Sequence, residues 1–168
     1  MKGKDVFTKR EAEVIRALKM DVFNGFVRVF NLRGEALKDI PDVPGVYMVL
    51  RDSVERPDFL VRGSGGYFKG KDPNVPLSEL CANWVEGANV LYIGKAKSLR
   101  KRISQYLRFG DGKPVGHWGG RYIWQLADAP ELIFCWMPVI GDADAVETEM
   151  ICRFREHYGS RPFANLMK

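Results

Sequence analysis

The sequence lacks the features that define several large classes of protein. None of its apolar runs approaches the roughly 20 residues that a membrane-spanning helix needs. The charged residues at its start lead into no apolar signal core, so we expect a cytoplasmic protein without a membrane partner. Its three cysteines, Cys81, Cys135 and Cys152, include no CxxC pair, which argues for reduced thiols rather than a disulfide frame or a zinc site.

Nucleotide-binding and low-complexity signatures are lacking as well. The glycine-rich residues 63–70 do not end in the Gly-Lys-Ser/Thr sequence of a phosphate-binding loop, and the chain contains no internal repeat. Of its 168 residues, 46% are hydrophobic and 28% are charged, a composition typical of one globular domain.

The net charge of +5 is unevenly distributed. One stretch, in which Asp111 is the single acid, is rich in cations: Lys95, Lys97, Arg100, Lys101, Arg102, Arg108 and Lys113. A later stretch has acids and no Lys or Arg: Asp128, Glu131, Asp142, Asp144, Glu147 and Glu149. A basic surface beside an acidic cluster favours a phosphate-binding face next to a metal site. The alternative is two solvated faces of opposite charge.

The first half of the chain alternates between regular and irregular segments. Apolar spacing predicts a helix over residues 8–20, whereas residues 22–32 fit a strand or a helix equally well. Residues 45–50 form an apolar, β-prone run and are predicted to be a strand. Residues 52–89 are rich in glycine and proline and read as loop, with one short helix near residues 77–85.

The second half predicts two more strands and two helices. Strands are expected over residues 90–94 and 132–139. Ser98 is a suitable N-cap for the first helix. A second helix is expected over residues 143–158, and Gly159 is suited to end it as a C-cap. Together, these strands and helices predict an α+β fold with a small three-stranded, mainly antiparallel sheet flanked by helices, preceded by a helical extension.

Five motifs occur in order on these elements. They are Gly45-Val46-Tyr47, Tyr92-Ile93-Gly94, the basic run from Lys95 to Tyr106, the helical segment 145–152 and Pro162-Phe163-Ala164-Asn165. Together they resemble the GIY-YIG nuclease superfamily, and the second and third are similar to the corresponding stretch of the incision subunit of bacterial excision repair. The resemblance places a nuclease domain over residues 41–168, with 52–89 as a long insertion and 1–40 as an extension packed on it.

The resemblance implies a role for each matching residue. Arg102 takes the position of the catalytic arginine, and Glu149 that of the metal-binding glutamate, with Glu147 as a rival ligand. Tyr47 would activate the attacking water, and Lys95 would favour its phenolate form. Tyr92 is the second signature tyrosine.

Further residues complete the expected site. Tyr106 and His117 fall on family positions near the catalytic arginine. DNA contacts are expected from cations of the basic helix, from cations of the insertion and from the family's asparagine: Lys97, Arg100, Lys101, Arg62, Lys69 and Asn165.

The implied function is hydrolysis of a DNA phosphodiester bond with one Mg²⁺ or Mn²⁺ ion. A single carboxylate can hold Mg²⁺ when waters and phosphate oxygens supply the other ligands. A guanidinium group is a fixed cation for the phosphate. Repair, restriction and mobile-element roles all fit, and the oligomeric state is not indicated. The alternative is a catalytically inactive module that binds nucleic acid.

Overall fold

The computed structural model describes residues 22–167, which build an α+β fold around one antiparallel sheet. Its strands are β1 (Asn24–Arg28), β2 (Gly45–Leu50), β3 (Val90–Ala96) and β4 (Ile133–Pro138). They lie in the order β1-β4-β2-β3, so β1 and β3 are the edges. The α+β class is confirmed, while the expected number of three strands is wrong, because β1 adds a fourth.

The extra strand β1 comes from the segment that fitted strand and helix equally well. Its pairing with β4 is interrupted between Gly25 and Val27, where Gly25 and Phe26 adopt φ angles of +94° and +56°. A bulge of this kind breaks the alternation of inward and outward side chains. The sequence of this segment therefore does not show the period of a regular strand.

Three helices accompany the sheet: α1 (Leu77–Asn83), α2 (Leu99–Gly110) and α3 (Ala143–Tyr158). The Ser98 hydroxyl caps α2 by accepting a hydrogen bond from the Lys101 N–H. Gly159 ends α3 in the left-handed conformation, with φ +78°, as its position predicted. The helix expected over residues 8–20 lies outside the described residues.

The two long helices cover opposite faces of the sheet. Leu99, Ile103 and Leu107 of α2 are buried against the face that carries Tyr47. Buried residues of α3 pack on the other face: Met150, Ile151 and Phe154. No helix within residues 22–167 is long and apolar enough to cross a membrane.

The insertion over residues 52–89 is fastened to the α2 side of the domain. Arg51, just before it, donates from Nε to Asp128 at 2.7 Å. The Gln125 side chain accepts from the Val75 N–H at 2.9 Å and donates to the Leu60 carbonyl at 3.0 Å. These long-range bonds give the insertion a fixed position despite its scarcity of regular structure.

The edge of β3 is closed by the C-terminal segment rather than by another strand. The Asn165 amide accepts from the Ile93 N–H at 3.0 Å and donates to the Ile93 carbonyl at 2.8 Å. Beside it, the Ala164 N–H donates to the Leu91 carbonyl at 2.8 Å. Asn165, which was expected to contact DNA, is therefore buried and bonded to the backbone of the sheet.

We predict that Asn165→Ala destabilises the fold. The substitution leaves the buried N–H and C=O of Ile93 without their partner, and each unsatisfied group costs about 1–3 kcal/mol. Urea denaturation should show a loss of about 2–4 kcal/mol in the free energy of unfolding. Met167→Ala, in the same segment but 81% exposed, is the control. Equal stability of both variants would contradict the closing role of Asn165.

Candidate active site

Four aromatic side chains meet under the α2 face of the sheet. Tyr47 of β2 and Tyr92 of β3 have ring centroids 5.8 Å apart. Tyr106 of α2 stacks on His117 with centroids 3.6 Å apart and an angle of 3° between the rings. Three of the four are fully buried, and Tyr92 keeps 8% of its surface exposed. The structure thus brings together four residues that the sequence placed in the site.

Hydrogen bonds fix this cluster. The Tyr47 Oη lies 2.7 Å from His117 Nε2, and the Tyr106 Oη donates to the Gly120 carbonyl at 2.6 Å. A Cβ atom at Gly94 would come within 2.6 Å of the rings of both Tyr47 and Tyr92. Glycine at this position therefore allows the two tyrosines to converge.

Burial keeps the hydroxyl and the imidazole neutral. Burial first, and then the proximity of Tyr92, hold the pKa of Tyr47 well above its ordinary value, while Arg102 acts in the opposite direction. Burial also holds the pKa of His117 well below its ordinary value, and Arg102 lowers it further. A neutral hydroxyl therefore faces a neutral imidazole. Lys95 was expected to lower the pKa of Tyr47, but the structure gives this influence to Arg102.

Arg102 connects the aromatic cluster to an open groove. Its Nη1 donates to the Gly116 carbonyl at 2.9 Å and to Gln105 Oε1 at 3.2 Å. Arg102 also lines a groove of about 620 Å³, together with Lys95 and Lys97. The start of α3 forms the opposite side of this groove. The guanidinium is thus oriented by a backbone carbonyl and accessible from the groove.

Lys95 joins the groove to two acids of α3. Its Nζ forms an ion pair with Asp144 and lies 3.8 Å from Glu147 Oε2. The side chain of Glu147 is only 9% exposed, whereas that of Asp144 is 55% exposed. Glu147 also raises the pKa of Tyr92, after the larger effect of burial. A buried carboxylate therefore lies close to Lys95 and within electrostatic reach of Tyr92.

Glu149 lies elsewhere on α3. Its carboxylate is 60% exposed and pairs with Arg153 one turn later. It borders a small depression with Val22, Phe23 and other residues outside the groove. Residues two apart on a helix point in directions about 200° apart, so Glu147 and Glu149 cannot face the groove together. The rival ligand, Glu147, is the one whose carboxylate lies 3.8 Å from Lys95, a residue that lines the groove.

The remaining predicted residues divide into two groups. Lys97 lines the groove, and Lys101, Arg62 and Lys69 are exposed. Arg100, in contrast, donates to the Ile40 and Lys38 carbonyls at 2.8 and 3.0 Å. Its guanidinium therefore holds the segment before β2 against α2.

Sequence reasoning missed two residues that shape the site. Asp144 belongs to the acidic stretch, but no pattern singled it out as the partner of Lys95. Gly116 contributes only its carbonyl, which any residue possesses. For Asp144 the usable signal was its position three residues before Glu147, on the same face of α3. For Gly116 the sequence carried no signal.

Comparison with known proteins finds one remote relative. Over 124 residues the chain is 27% identical to the UvrABC system protein C of Nautilia profundicola. The match covers 74% of this chain and 15% of that protein, so the chain spans only a small part of the relative's length. Neither a family model nor a solved structure matches the chain. This remote similarity supports the resemblance to GIY-YIG nucleases that the motifs indicate.

We predict that burial of His117 makes the fold sensitive to mild acid. Below about pH 6.5 an unfolded histidine binds a proton, whereas the native imidazole resists protonation because burial lowers its pKa. The unfolded state then binds more protons, so stability falls as the pH falls. Between pH 6.5 and 5, urea denaturation should show an extra loss of about 1.4 kcal/mol per pH unit. The control is His117→Gln, which lacks the titrating group. Parallel curves for both proteins would contradict the prediction.

Proposed function

We propose that the protein is an endonuclease that hydrolyses phosphodiester bonds in DNA with the help of one divalent cation. The observation that carries this proposal is the position of Glu147: a buried carboxylate beside a cationic groove that Arg102 lines. The motif resemblance and the remote relative supply the substrate class. Repair of DNA is the role favoured by the similarity of the motifs to the incision subunit of bacterial excision repair.

The donor set suits a hard cation held by a single carboxylate. Among residues 22–167, no group of three or more His, Cys, Asp or Glu side chains converges on one point. Glu147 already lies 3.8 Å from one cation, the Lys95 ammonium, so this position favours positive charge. Mg²⁺ binds readily through one carboxylate with water and phosphate oxygens as its other ligands. Bound there, it would neutralise charge on the phosphate and polarise its oxygens.

Arg102 and Lys95 provide the charge that holds the phosphate. The Arg102 guanidinium is oriented by the Gly116 carbonyl and lines the groove. A planar guanidinium donates two parallel hydrogen bonds to a phosphate and retains its charge at any relevant pH. Lys97 extends the positive lining along the groove. Negative charge that develops during attack is therefore stabilised by groups already in place.

The proton of the attacking water leaves through the aromatic cluster. Tyr92 is partly exposed, while Tyr47 is fully buried behind it and bonded to His117. The water gives its proton to the Tyr92 oxygen, the Tyr92 proton moves to Tyr47, and the Tyr47 proton moves to His117 Nε2. The hydroxide attacks phosphorus, the bond to the leaving oxygen breaks, and that oxygen takes a proton from solvent. In this relay the neutral form of His117 is the active one, and because burial disfavours its protonated form, the imidazole holds the proton only transiently.

An inactive module that binds nucleic acid is the second candidate. Its supporting observation is the complete burial of Tyr47 and His117, which also suits a purely structural cluster. Such a protein would bind DNA with the same groove and cleave nothing, with or without a divalent cation.

We predict that Glu147→Gln abolishes nicking of supercoiled plasmid in the presence of Mg²⁺. The substitution keeps the size of the side chain and removes the charge that attracts the cation. DNA affinity should stay within a few-fold, because the carboxylate acts on the cation and not on DNA. Glu149→Gln is the matched control on the same helix and should cleave normally.

The outcomes of this pair separate the candidates. If Glu149→Gln alone lost nicking, Glu149 rather than Glu147 would be the metal ligand. Metal-independent binding with no nicking by the wild type would favour the inactive module.

We predict that His117 shapes the dependence of cleavage on pH. The wild type should cleave at a nearly constant rate between pH 7 and 9, because His117 is neutral throughout. In His117→Ala the relay has no final acceptor, and the proton must leave to solvent. Single-turnover cleavage should then fall about 100-fold or more at pH 7 and recover about tenfold per pH unit.

Tyr47→Phe and Tyr106→Phe are the controls for this experiment. Tyr47→Phe removes the middle of the relay and should not recover at any pH. Tyr106→Phe keeps the ring that stacks on His117 and should retain the flat profile. A flat profile in His117→Ala would show that the imidazole accepts no proton.

A further inference from the structure

The insertion carries a tight hairpin at residues 68–71. Phe68 and Lys71 form an isolated antiparallel bridge, with the Lys71 N–H donating to the Phe68 carbonyl at 3.1 Å. Lys69 and Gly70, between them, have φ angles of +53° and +73°. Positive φ at both central residues is the mark of a type I′ turn, which fixes the two arms of a hairpin closely. The hairpin is therefore a defined structure and not a loose loop.

The base of this hairpin is fastened beside the C-terminal end of α2. The Gly66 N–H donates to the Phe109 carbonyl at 2.9 Å, and the Ser64 N–H to the Trp124 carbonyl at 3.1 Å. At Gly66 the insertion approaches the next loop so closely that a Cβ atom would lie 2.0 Å from the Lys113 carbonyl oxygen. The hairpin thus packs directly on the loop that leads from α2 to His117.

That loop is held internally by bonds between near neighbours. The Val115 N–H donates to the Lys113 carbonyl at 2.8 Å, and the His117 N–H to the Val115 carbonyl at 3.0 Å. Bonds between residues two apart shape the loop, but they do not tie it to the rest of the domain. The loop is tied to the domain at its start by the Lys113 N–H, which donates to the Arg108 carbonyl at 3.0 Å, and at its end by the bonds of Arg102 and Tyr47. Between these points its position depends on side chains that pack on it.

Phe68 is one such side chain. A Cβ atom at Gly116 would lie 3.4 Å from the Phe68 ring, an ordinary packing distance, so the ring covers this peptide. The carbonyl of the same residue orients Arg102, and the next residue, His117, holds the Tyr47 hydroxyl. One half-buried ring therefore supports the backbone that places two groups of the candidate active site.

We propose that Phe68 is a positioning residue: the insertion hairpin holds the loop at residues 113–117 so that Arg102 meets the phosphate correctly and His117 stays bonded to Tyr47. The inference rests on the proposed nuclease function. It assigns the insertion a role in catalysis as well as in contact with DNA. Exposed cations of the hairpin, Lys69 and Lys71, are suited to the backbone of the DNA, while Phe68 acts on the protein.

Steady-state cleavage separates these two roles. Phe68→Ala should lower kcat about 10- to 100-fold, because small displacements of groups around a reacting centre have effects of this size. Its KM for DNA should stay within about twofold. Lys71→Ala should raise KM and weaken its dependence on salt, with kcat unchanged. Lys69 is kept in this variant because its Nζ lies over the Phe68 ring, 5.3 Å from the centroid. Tyr67→Ala, an adjacent aromatic that is 46% exposed, is the matched control and should alter neither constant.

A second measurement does not depend on activity. Titration of the His117 ring by NMR should show a pKa well below the ordinary value in the wild type, because the imidazole is buried. In Phe68→Ala the loosened loop should expose the ring and shift this pKa upward. Phe68→Leu, which keeps most of the apolar contact, should lie between them in both kcat and pKa, and it serves as the folded variant if Phe68→Ala does not fold.

The possible results distinguish the proposals. If Phe68→Ala and Phe68→Leu both match the wild type in kcat and in the His117 titration, the positioning role is overturned while the nuclease function stands. If the wild type does not cleave, the nuclease function fails, and the His117 titration alone decides whether Phe68 holds the loop.

Discussion

The hydrogen bond between the Tyr47 hydroxyl and His117 Nε2 is the contact on which the rest of the site depends. Both groups are fully buried, and a buried polar group without a partner costs about 1–3 kcal/mol. The two residues are 70 positions apart in the chain, so the loop after α2 must fold back under the sheet to form the bond. The stacking of Tyr106 on the imidazole and the small residue Gly94 both serve this close approach.

The edge strand β3 explains how neutral and charged parts of the site lie side by side. Successive residues of a strand point to opposite faces of the sheet. Tyr92 therefore joins the aromatic cluster on the α2 face, while Lys95, three residues later, reaches the acids of α3 on the other. The Tyr-Ile-Gly-Lys sequence thus brings a partly buried hydroxyl and a charged ammonium to the same end of one strand.

Much of this arrangement could be predicted from the sequence, because its periodic signals are strong. The bounds of α3, its glycine cap and the Ser98 cap of α2 follow the expected positions. The periodicity of the apolar residues in α3 also shows which of the two glutamates lies on the inward face. Glu147 lies three residues before Met150 and seven before Phe154, on the inward face, whereas Glu149 falls on the outer one. The motif spacing favours Glu149 as the metal ligand, whereas the helical period predicts the burial of Glu147.

Other parts depend on backbone contacts that side-chain patterns do not encode. The bulge at Gly25 and Phe26 hides β1, and the Gly116 carbonyl that orients Arg102 has no counterpart in the sequence. The role of Asn165 also could not be predicted from the sequence. A polar residue near the end of a nuclease-like motif is equally suited to DNA and to an unpaired strand edge, and only the fold shows its two bonds to Ile93.

Those two bonds also account for the open groove. Exposed strand edges attract further strands, and another strand on β3 would cover the side of the sheet where Tyr92 and Lys95 emerge. A single side-chain amide satisfies one residue of the edge and occupies little space. The terminal half of β3, from Gly94 to Ala96, is left to form the wall of the groove. Closing the edge with Asn165 thus protects the strand and leaves the groove open.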